Sequence, residues 1–145
     1  MEYWKLYALA SAAFAGLTAV LAKAGLNTLG ADIGLTVRTA LVFGFILLNT
    51  LLWSSTSKIW AALSTADIRS LVLLALSALT TALSWVCYYR AMKDGTVTYV
   101  SLVDKGSLLV TIILSVLFLG EPLTWRITTG ATLVFLGLLI VAAGK

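Results

Sequence analysis

Five long apolar segments decide what this chain is able to fold into. Each holds about 20 predominantly apolar residues, which is the length that an α-helix needs to cross roughly 30 Å of hydrocarbon. The predicted helices cover residues 4–22, 33–53, 68–89, 97–119 and 123–143. We therefore expect an all-α integral membrane protein with five transmembrane helices. The short connection GEPLT, with Gly120 and Pro122, predicts that the fourth and fifth helices are antiparallel neighbours.

The composition agrees with a membrane location. Hydrophobic residues make up 61% of the sequence and charged residues 11%, whereas soluble domains carry roughly 25% charged residues. We therefore expect the lipid bilayer to be the surroundings of a multi-pass protein. The N-terminal apolar run is about twice as long as the h-region of a signal peptide, and its start is not strongly basic. We assign this run to the first transmembrane helix.

Several kinds of site are excluded by the residues that the sequence lacks. It contains no histidine and one cysteine, Cys87. A Cys/His metal site and a serine–histidine triad therefore cannot form within one chain, and we expect neither a metal nor a cofactor. The Lys and Arg residues are scattered rather than clustered on a solvent face, so we expect no nucleic-acid partner.

Two of the predicted helices carry a stripe of polar residues along one face. The third helix has a stripe at spacings of 4, 3 and 4, flanked by Trp85, and it consists of Ser77, Thr81, Ser84 and Tyr88. The fourth helix has a stripe at spacings of 3, 4 and 4, which consists of Asp104, Ser107, Thr111 and Ser115. Two such stripes favour the walls of a polar cavity. For any single hydroxyl, the alternative is a hydrogen bond to the carbonyl four residues earlier.

Three ionisable residues lie more than one turn inside the apolar segments. If the N-terminus begins on side A of the membrane, Arg38, Asp104 and Lys105 all lie near side B, and Asp104 is roughly 10 Å deep. Adjacent residues on a helix point about 100° apart, so we expect the side chains of Asp104 and Lys105 to diverge rather than to pair with each other. We expect Arg38 to pair with Asp104, and Lys105 to face a second surface, cavity water or ligand. The alternative is that Arg38 and Lys105 extend to the headgroups. Ionisable residues inside the membrane indicate a functional site.

Two further patterns concern orientation and assembly. The Lys and Arg residues outside the predicted helices or in their first turn number four on each side, so the positive-inside rule gives no orientation and both are permitted. On side A they are Lys5, Lys58, Arg69 and Arg126, and on side B they are Lys23, Arg90, Lys93 and Lys145. The last helix carries a glycine stripe at intervals of seven, formed by Gly130, Gly137 and Gly144. This stripe suits packing within the subunit, with a dimer contact as the alternative.

The stretches YYRAMKDG, SLVDKGSLLVT and SVLFLGEPLTW, followed by a glycine-rich last helix, carry a family resemblance. Over its whole length the chain resembles the EamA-type module of the drug/metabolite transporter superfamily, and most closely its single-module, five-helix bacterial and archaeal branch. The resemblance implies a single EamA-like domain over residues 1–145, which is one half of an inverted-repeat, ten-helix architecture. Branch members often have proline two residues before the Asp. Leu102 stands there in this chain, which weakens the expectation of a helix break.

The resemblance implies a secondary transporter for small polar or amphipathic metabolites, either amino-acid-like or cationic. It would work by alternating access, as an antiparallel, dual-topology homodimer in a prokaryotic inner or plasma membrane. We expect a charged substrate-binding or gating cluster of Arg38, Asp104 and Lys105. The other candidate site residues are Trp85, Tyr88, Ser84, Thr81 and Ser107.

Three alternatives concern the placement of two tyrosines, the role of the whole protein and a catalytic dyad. Tyr89 and Tyr99 are assigned to the aromatic belt at the membrane interface rather than to the site. The protein as a whole is alternatively a structural or partner-dependent subunit that transports nothing. An intramembrane enzyme with a serine–lysine dyad is the third reading, because Ser101 and Lys105 lie four residues apart, but such a spacing is weak evidence.

Overall fold

The structure is a computed structural model that describes residues 3–143, apart from the side chains of Asn27, Thr56 and Leu63. It consists of seven α-helices and a π-helical turn, Ser115–Leu119, with no strand among the described residues. The α-helices are α1 (Tyr3–Leu29), α2 (Ala31–Trp53), α3 (Thr56–Thr65), α4 (Ile68–Asp94), α5 (Val97–Asp104), α6 (Ser107–Leu114) and α7 (Trp125–Ala143). The all-α prediction is confirmed.

The five predicted membrane spans are also confirmed. Five helical stretches in the described part of the chain are long and apolar enough to cross a membrane, namely Tyr3–Leu26, Ala31–Trp53, Ile68–Asp94, Val97–Leu119 and Trp125–Ala143. The fourth span is built from α5, α6 and the π-helical turn together. Large apolar side chains along the spans are exposed on the protein surface, which suits contact with lipid rather than water.

Four predicted helix ends differ from the structure by two residues or more. α2 begins at Ala31 rather than at residue 33. α1 continues to Leu29, so that Gly30 (φ 73°) alone separates it from α2. α4 continues to Asp94, which places the predicted turn beginning at Arg90 inside the helix. α7 begins at Trp125, after the cap residue Thr124, rather than at residue 123. α1 and α4 extend beyond their predicted ends because polar residues end an apolar run without ending the backbone hydrogen bonds.

The chain divides into two compact units, Leu21–Lys93 and the remainder, Met1–Val20 with Asp94–Lys145. We call them the central unit and the terminal unit. In the terminal unit, α5 and α6 both pack against α7, so the fourth and fifth spans are neighbours. Gly106 permits a close approach there, because a Cβ at that position would lie 3.4 Å from Leu138 Cδ1 and 3.0 Å from the Val103 carbonyl oxygen.

In the central unit, polar contacts join the helix ends that we assign to side B. Lys23 Nζ, near the end of α1, donates hydrogen bonds to the carbonyls of Met92 and Lys93 at the end of α4. Arg90 Nε donates to Asp32 Oδ1 in the first turn of α2 at 3.2 Å. A cation at a helix C-terminus and an anion at an N-terminus both suit the helix dipole. These contacts link the end of α1 to the end of α4, and the end of α4 to the start of α2.

Candidate functional site

A groove of about 460 Å³ lies between α2 and α4 in the central unit. Most of its lining consists of leucine, alanine and valine side chains and the Trp85 ring, while Thr39, Ser77 and Thr81 contribute hydroxyl groups. Its volume is in the range of small-molecule sites, which are also mainly apolar with a few polar groups. No Asp, Glu, Lys or Arg side chain is among the lining residues of this unit.

The structure divides the polar stripe that the sequence shows on α4. Thr81 and Trp85 lie in the groove wall, together with Ser77. Ser84 is exposed and does not line the groove. Tyr88 packs its ring against that of Tyr89, with centroids 6.3 Å apart.

The hydroxyl of Thr81 is already partly engaged within its own helix. Its Oγ1 donates a hydrogen bond to the Ser77 carbonyl at 2.8 Å, which is the intrahelical alternative that the sequence leaves open. The oxygen still has lone pairs that accept hydrogen bonds. Thr81 is therefore available to a ligand as an acceptor rather than as a donor.

Arg38 directs its guanidinium group toward two aromatic rings of α4. Its Cζ lies 4.8 Å from the centroid of the Trp85 ring and 5.8 Å from that of the Tyr89 ring, within the distance at which a cation is attracted to a ring face. Arg38 is half-buried and starts about 10 Å into α2. The carboxylate of the same helix, Asp32, is bound instead by Arg90.

Tyr89 is a functional candidate that the sequence argument misassigned. The residue is 3% exposed, so its assignment to the interfacial aromatic belt is wrong. Its hydroxyl is buried and has no hydrogen-bond partner among the described residues, which is unfavourable for a buried polar group. The available signal was spacing, because Tyr89 follows Trp85 by one helical turn and shares its face.

The fourth span is interrupted where it carries its two charges. α5 ends at Asp104, Lys105 and Gly106 form a turn, and α6 begins at Ser107. The N–H groups of the two turn residues donate to carbonyls three residues earlier, at 3.1 and 2.9 Å. This tighter bonding is typical of 3₁₀ geometry. A helix break is therefore present although Leu102 occupies the position at which related chains often have proline.

Asp104 and Lys105 also relate to each other differently from the prediction. Lys105 Nζ lies 4.0 Å from Asp104 Oδ2, so the expectation that the two side chains diverge is wrong. Lys105 keeps right-handed helical dihedrals, and the approach is made by its long, flexible side chain. The Asp104 side chain is 39% exposed and the Lys105 side chain is 64% exposed. Such an exposed pair contributes little stability. The pairing of Arg38 with Asp104 stays a prediction.

Two remaining expectations for the fourth span concern its hydroxyl groups. Thr111 Oγ1 donates to the carbonyl of Ser107 at 3.0 Å, so part of this polar stripe is satisfied within α6. The proposed Ser101–Lys105 dyad assumed a shared helical face. Lys105 keeps right-handed helical dihedrals (φ −64°, ψ −14°) as the C-cap of α5, so the shared face remains and the dyad stays a hypothesis. Among residues 3–143, no group of three His, Cys, Asp or Glu side chains is placed to hold a metal ion.

Comparisons with known proteins cover nearly the whole chain. The model of a family described as the EamA-like transporter family matches residues 2–143. A protein of Sinorhizobium sp, described as an uncharacterized transporter in cobO 3'region, is 38% identical over 144 residues, which is 97% of this chain and 97% of the relative. No solved structure matches.

Proposed function

This chain belongs to the EamA-like transporter family and is a multi-pass membrane transporter, and on that premise we propose that it moves small polar or amphipathic metabolites by alternating access. The groove between α2 and α4 is the observation that carries the proposal. It is a small-molecule-sized space in a membrane span, and the Trp85 ring in its wall lies against a half-buried cation. Solutes of this class need such a mixture of apolar and polar surface.

Each of the two units carries candidate residues for substrate binding or gating, and they are taken here unit by unit. In the central unit, Arg38 is the charged group and the α4 side chains form the wall, with Thr81 and Trp85 in contact with the solute and Ser84 and Tyr88 beside them. In the terminal unit, Asp104, Lys105 and Ser107 lie at the break of the fourth span. Interrupted helices with exposed backbone groups are a common plan for transporter sites. In this proposal the chain acts as a single EamA-like domain.

We propose that the working unit is an antiparallel, dual-topology homodimer in a prokaryotic inner or plasma membrane. Five spans form half of the ten-helix plan, and the equal distribution of Lys and Arg permits both orientations. The glycines of α7 support a contact between copies, because a Cβ at Gly130 or Gly137 would meet nothing within 4 Å. Small residues of this kind let helices approach closely in lipid. Gly144 lies outside the described residues.

Uptake by proteoliposomes tests the transport proposal. The purified protein is reconstituted and offered a panel of labelled amino acids, organic acids and amines, with empty liposomes as the background. We expect uptake of at least one solute by the unaltered protein. Ala82→Trp fills the groove and should reduce this uptake to the background, whereas Ala75→Trp, on the same helix but outside the groove lining, should not. Uptake of no solute would refute the proposal and favour a partner-dependent subunit.

Cysteine labelling in intact cells tests the dimer proposal separately. Cys87 is the single native cysteine, so a Cys87→Ser chain accepts one new cysteine at either end. A membrane-impermeant reagent should label about half of the molecules at each end if both orientations are present. Labelling of one end alone contradicts the antiparallel homodimer and leaves the transport proposal intact.

A further inference from the structure

We propose that the groove selects solutes with an apolar body and a carboxylate group, and that Arg38 binds the carboxylate. This inference rests on the proposed transport function and narrows its substrate class. Leu35 and Thr39, which flank Arg38 on α2, both line the groove. On α4, the Trp85 ring both lines the groove and lies under the guanidinium. Arg38 is thus placed at the side-B end of the space in which the solute would sit.

The lining favours an apolar body. Leucine, alanine, valine and tryptophan side chains supply most of the surface, and the hydroxyl of Thr81 already donates within its helix. A strongly hydrated or multiply charged solute would lose its water in this groove without gaining enough hydrogen bonds. A short aliphatic or aromatic body would instead bury its apolar surface against the lining.

The state of Arg38 favours a carboxylate. A guanidinium that lies over aromatic rings still presents its N–H groups at its edge, and these match the two oxygens of a carboxylate. Within the described part of the central unit, Arg38 has ring contacts but no hydrogen bond and no ion pair. Tyr89, whose ring also lies under the guanidinium, holds a buried hydroxyl without a partner. Both groups are therefore donors with no acceptor in this unit.

The positive charge of Arg38, beside the groove wall at Trp85, disfavours cationic solutes. An ammonium group would approach a guanidinium in an environment of low polarity, where like charges repel strongly. The groove lining includes no carboxylate that could accept this ammonium, and Asp32, on the same helix as Arg38, contacts Arg90 at 3.2 Å. The amino group of an amino acid therefore gains nothing here. Of the two classes that the family resemblance implies, the groove selects against the cationic one.

Binding of three matched probes tests this inference. The three probes share an isobutyl body. 4-Methylpentanoate carries a carboxylate, 3-methylbutylamine carries an ammonium group, and leucine carries both. Equilibrium dialysis of the purified protein at neutral pH should detect binding of 4-methylpentanoate. The affinity for 3-methylbutylamine should be at least tenfold weaker. Arg38→Gln should weaken 4-methylpentanoate roughly 10- to 100-fold, the effect of a lost charge-assisted hydrogen bond. Arg69→Gln, which removes one positive charge outside the groove, should leave the affinity unchanged.

The outcomes separate this inference from the transport proposal. Absent binding of 4-methylpentanoate, equal binding of 3-methylbutylamine, or an Arg38→Gln affinity within threefold of the unaltered protein would each overturn it. If 3-methylbutylamine alone is taken up by proteoliposomes, transport stands and the carboxylate inference falls. If 4-methylpentanoate binds through Arg38 but no solute is taken up, the groove assignment stands and the transport proposal falls.

Discussion

The contact between Arg38 and Trp85 predicts a measurable coupling between these two residues. The perturbation is a double-mutant cycle that combines Arg38→Gln with Trp85→Leu. The guanidinium lies 4.8 Å from the ring centroid and the arginine is half-buried. Cation–π contacts contribute about 0.5–1 kcal/mol at exposed sites and about 2 kcal/mol when they are desolvated. For a half-buried pair we therefore expect a coupling free energy of about 1–2 kcal/mol.

The assay is reversible unfolding of the purified protein in mixed micelles, with the free energy of unfolding measured for the unaltered protein, both single variants and the double variant. Arg38→Gln alone should cost more than the coupling, because it also removes the contact with Tyr89 at 5.8 Å. The control cycle pairs Arg38→Gln with Trp53→Leu. Trp53 is 84% exposed and lies roughly 22 Å further along α2. Its coupling should stay within the 0.3–0.5 kcal/mol expected of independent sites.

A coupling below about 0.3 kcal/mol between Arg38 and Trp85 would refute this reasoning. It would mean that the guanidinium spends its time in the headgroup region, which is the alternative that the sequence left open. The same result would weaken the carboxylate inference, since the ring contact is what holds the guanidinium beside the groove.

Three further predictions address other parts of the chain. Tyr89→Phe should raise the free energy of unfolding by about 1 kcal/mol, because it removes a buried hydroxyl without a partner; a loss of stability in micelles would show that the hydroxyl is satisfied. Lys105→Ala should abolish uptake into proteoliposomes while folding is retained, and equal uptake would remove Lys105 from the site. Gly106→Val should destabilise the protein by about 1–3 kcal/mol through contact with Leu138, whereas Gly44→Val, with open space around it, should not; equal effects in an unfolding titration would contradict this packing.

The number and position of the spans were predictable because the bilayer imposes them. A segment must be about 20 residues long and apolar to cross the hydrocarbon, and all five predicted spans are present. The ends of α1 and α4 were not predictable from hydropathy. Residues beyond the hydrocarbon, such as Arg90, are polar, yet the backbone continues its hydrogen bonds to Asp94. The end of an apolar run marks the membrane surface rather than the end of a helix.

The candidate site was predictable only where one helix sufficed. Helical spacing placed Thr81 and Trp85 on one side of α4, and both lie in the groove wall. The rings that Arg38 contacts depend on how α2 is rotated against α4, which no spacing within one helix specifies. Tyr89 was misassigned because its place at the end of an apolar run is typical of an interfacial tyrosine, although its spacing puts it on the same face as Trp85. Asp104 and Lys105 were misjudged because helical spacing gives the direction of a Cβ but not the reach of a flexible lysine side chain.

The way in which the fourth span is interrupted has a consequence for its reversibility. A proline would subtract a backbone donor and its ring would clash with the preceding turn, so a break made by proline is permanent. Here Leu102, Lys105 and Gly106 all retain their N–H groups, and the turn is made by hydrogen bonds that reach back three residues instead of four. Straight and broken forms of this span therefore differ in the choice of acceptor and not in the number of available donors.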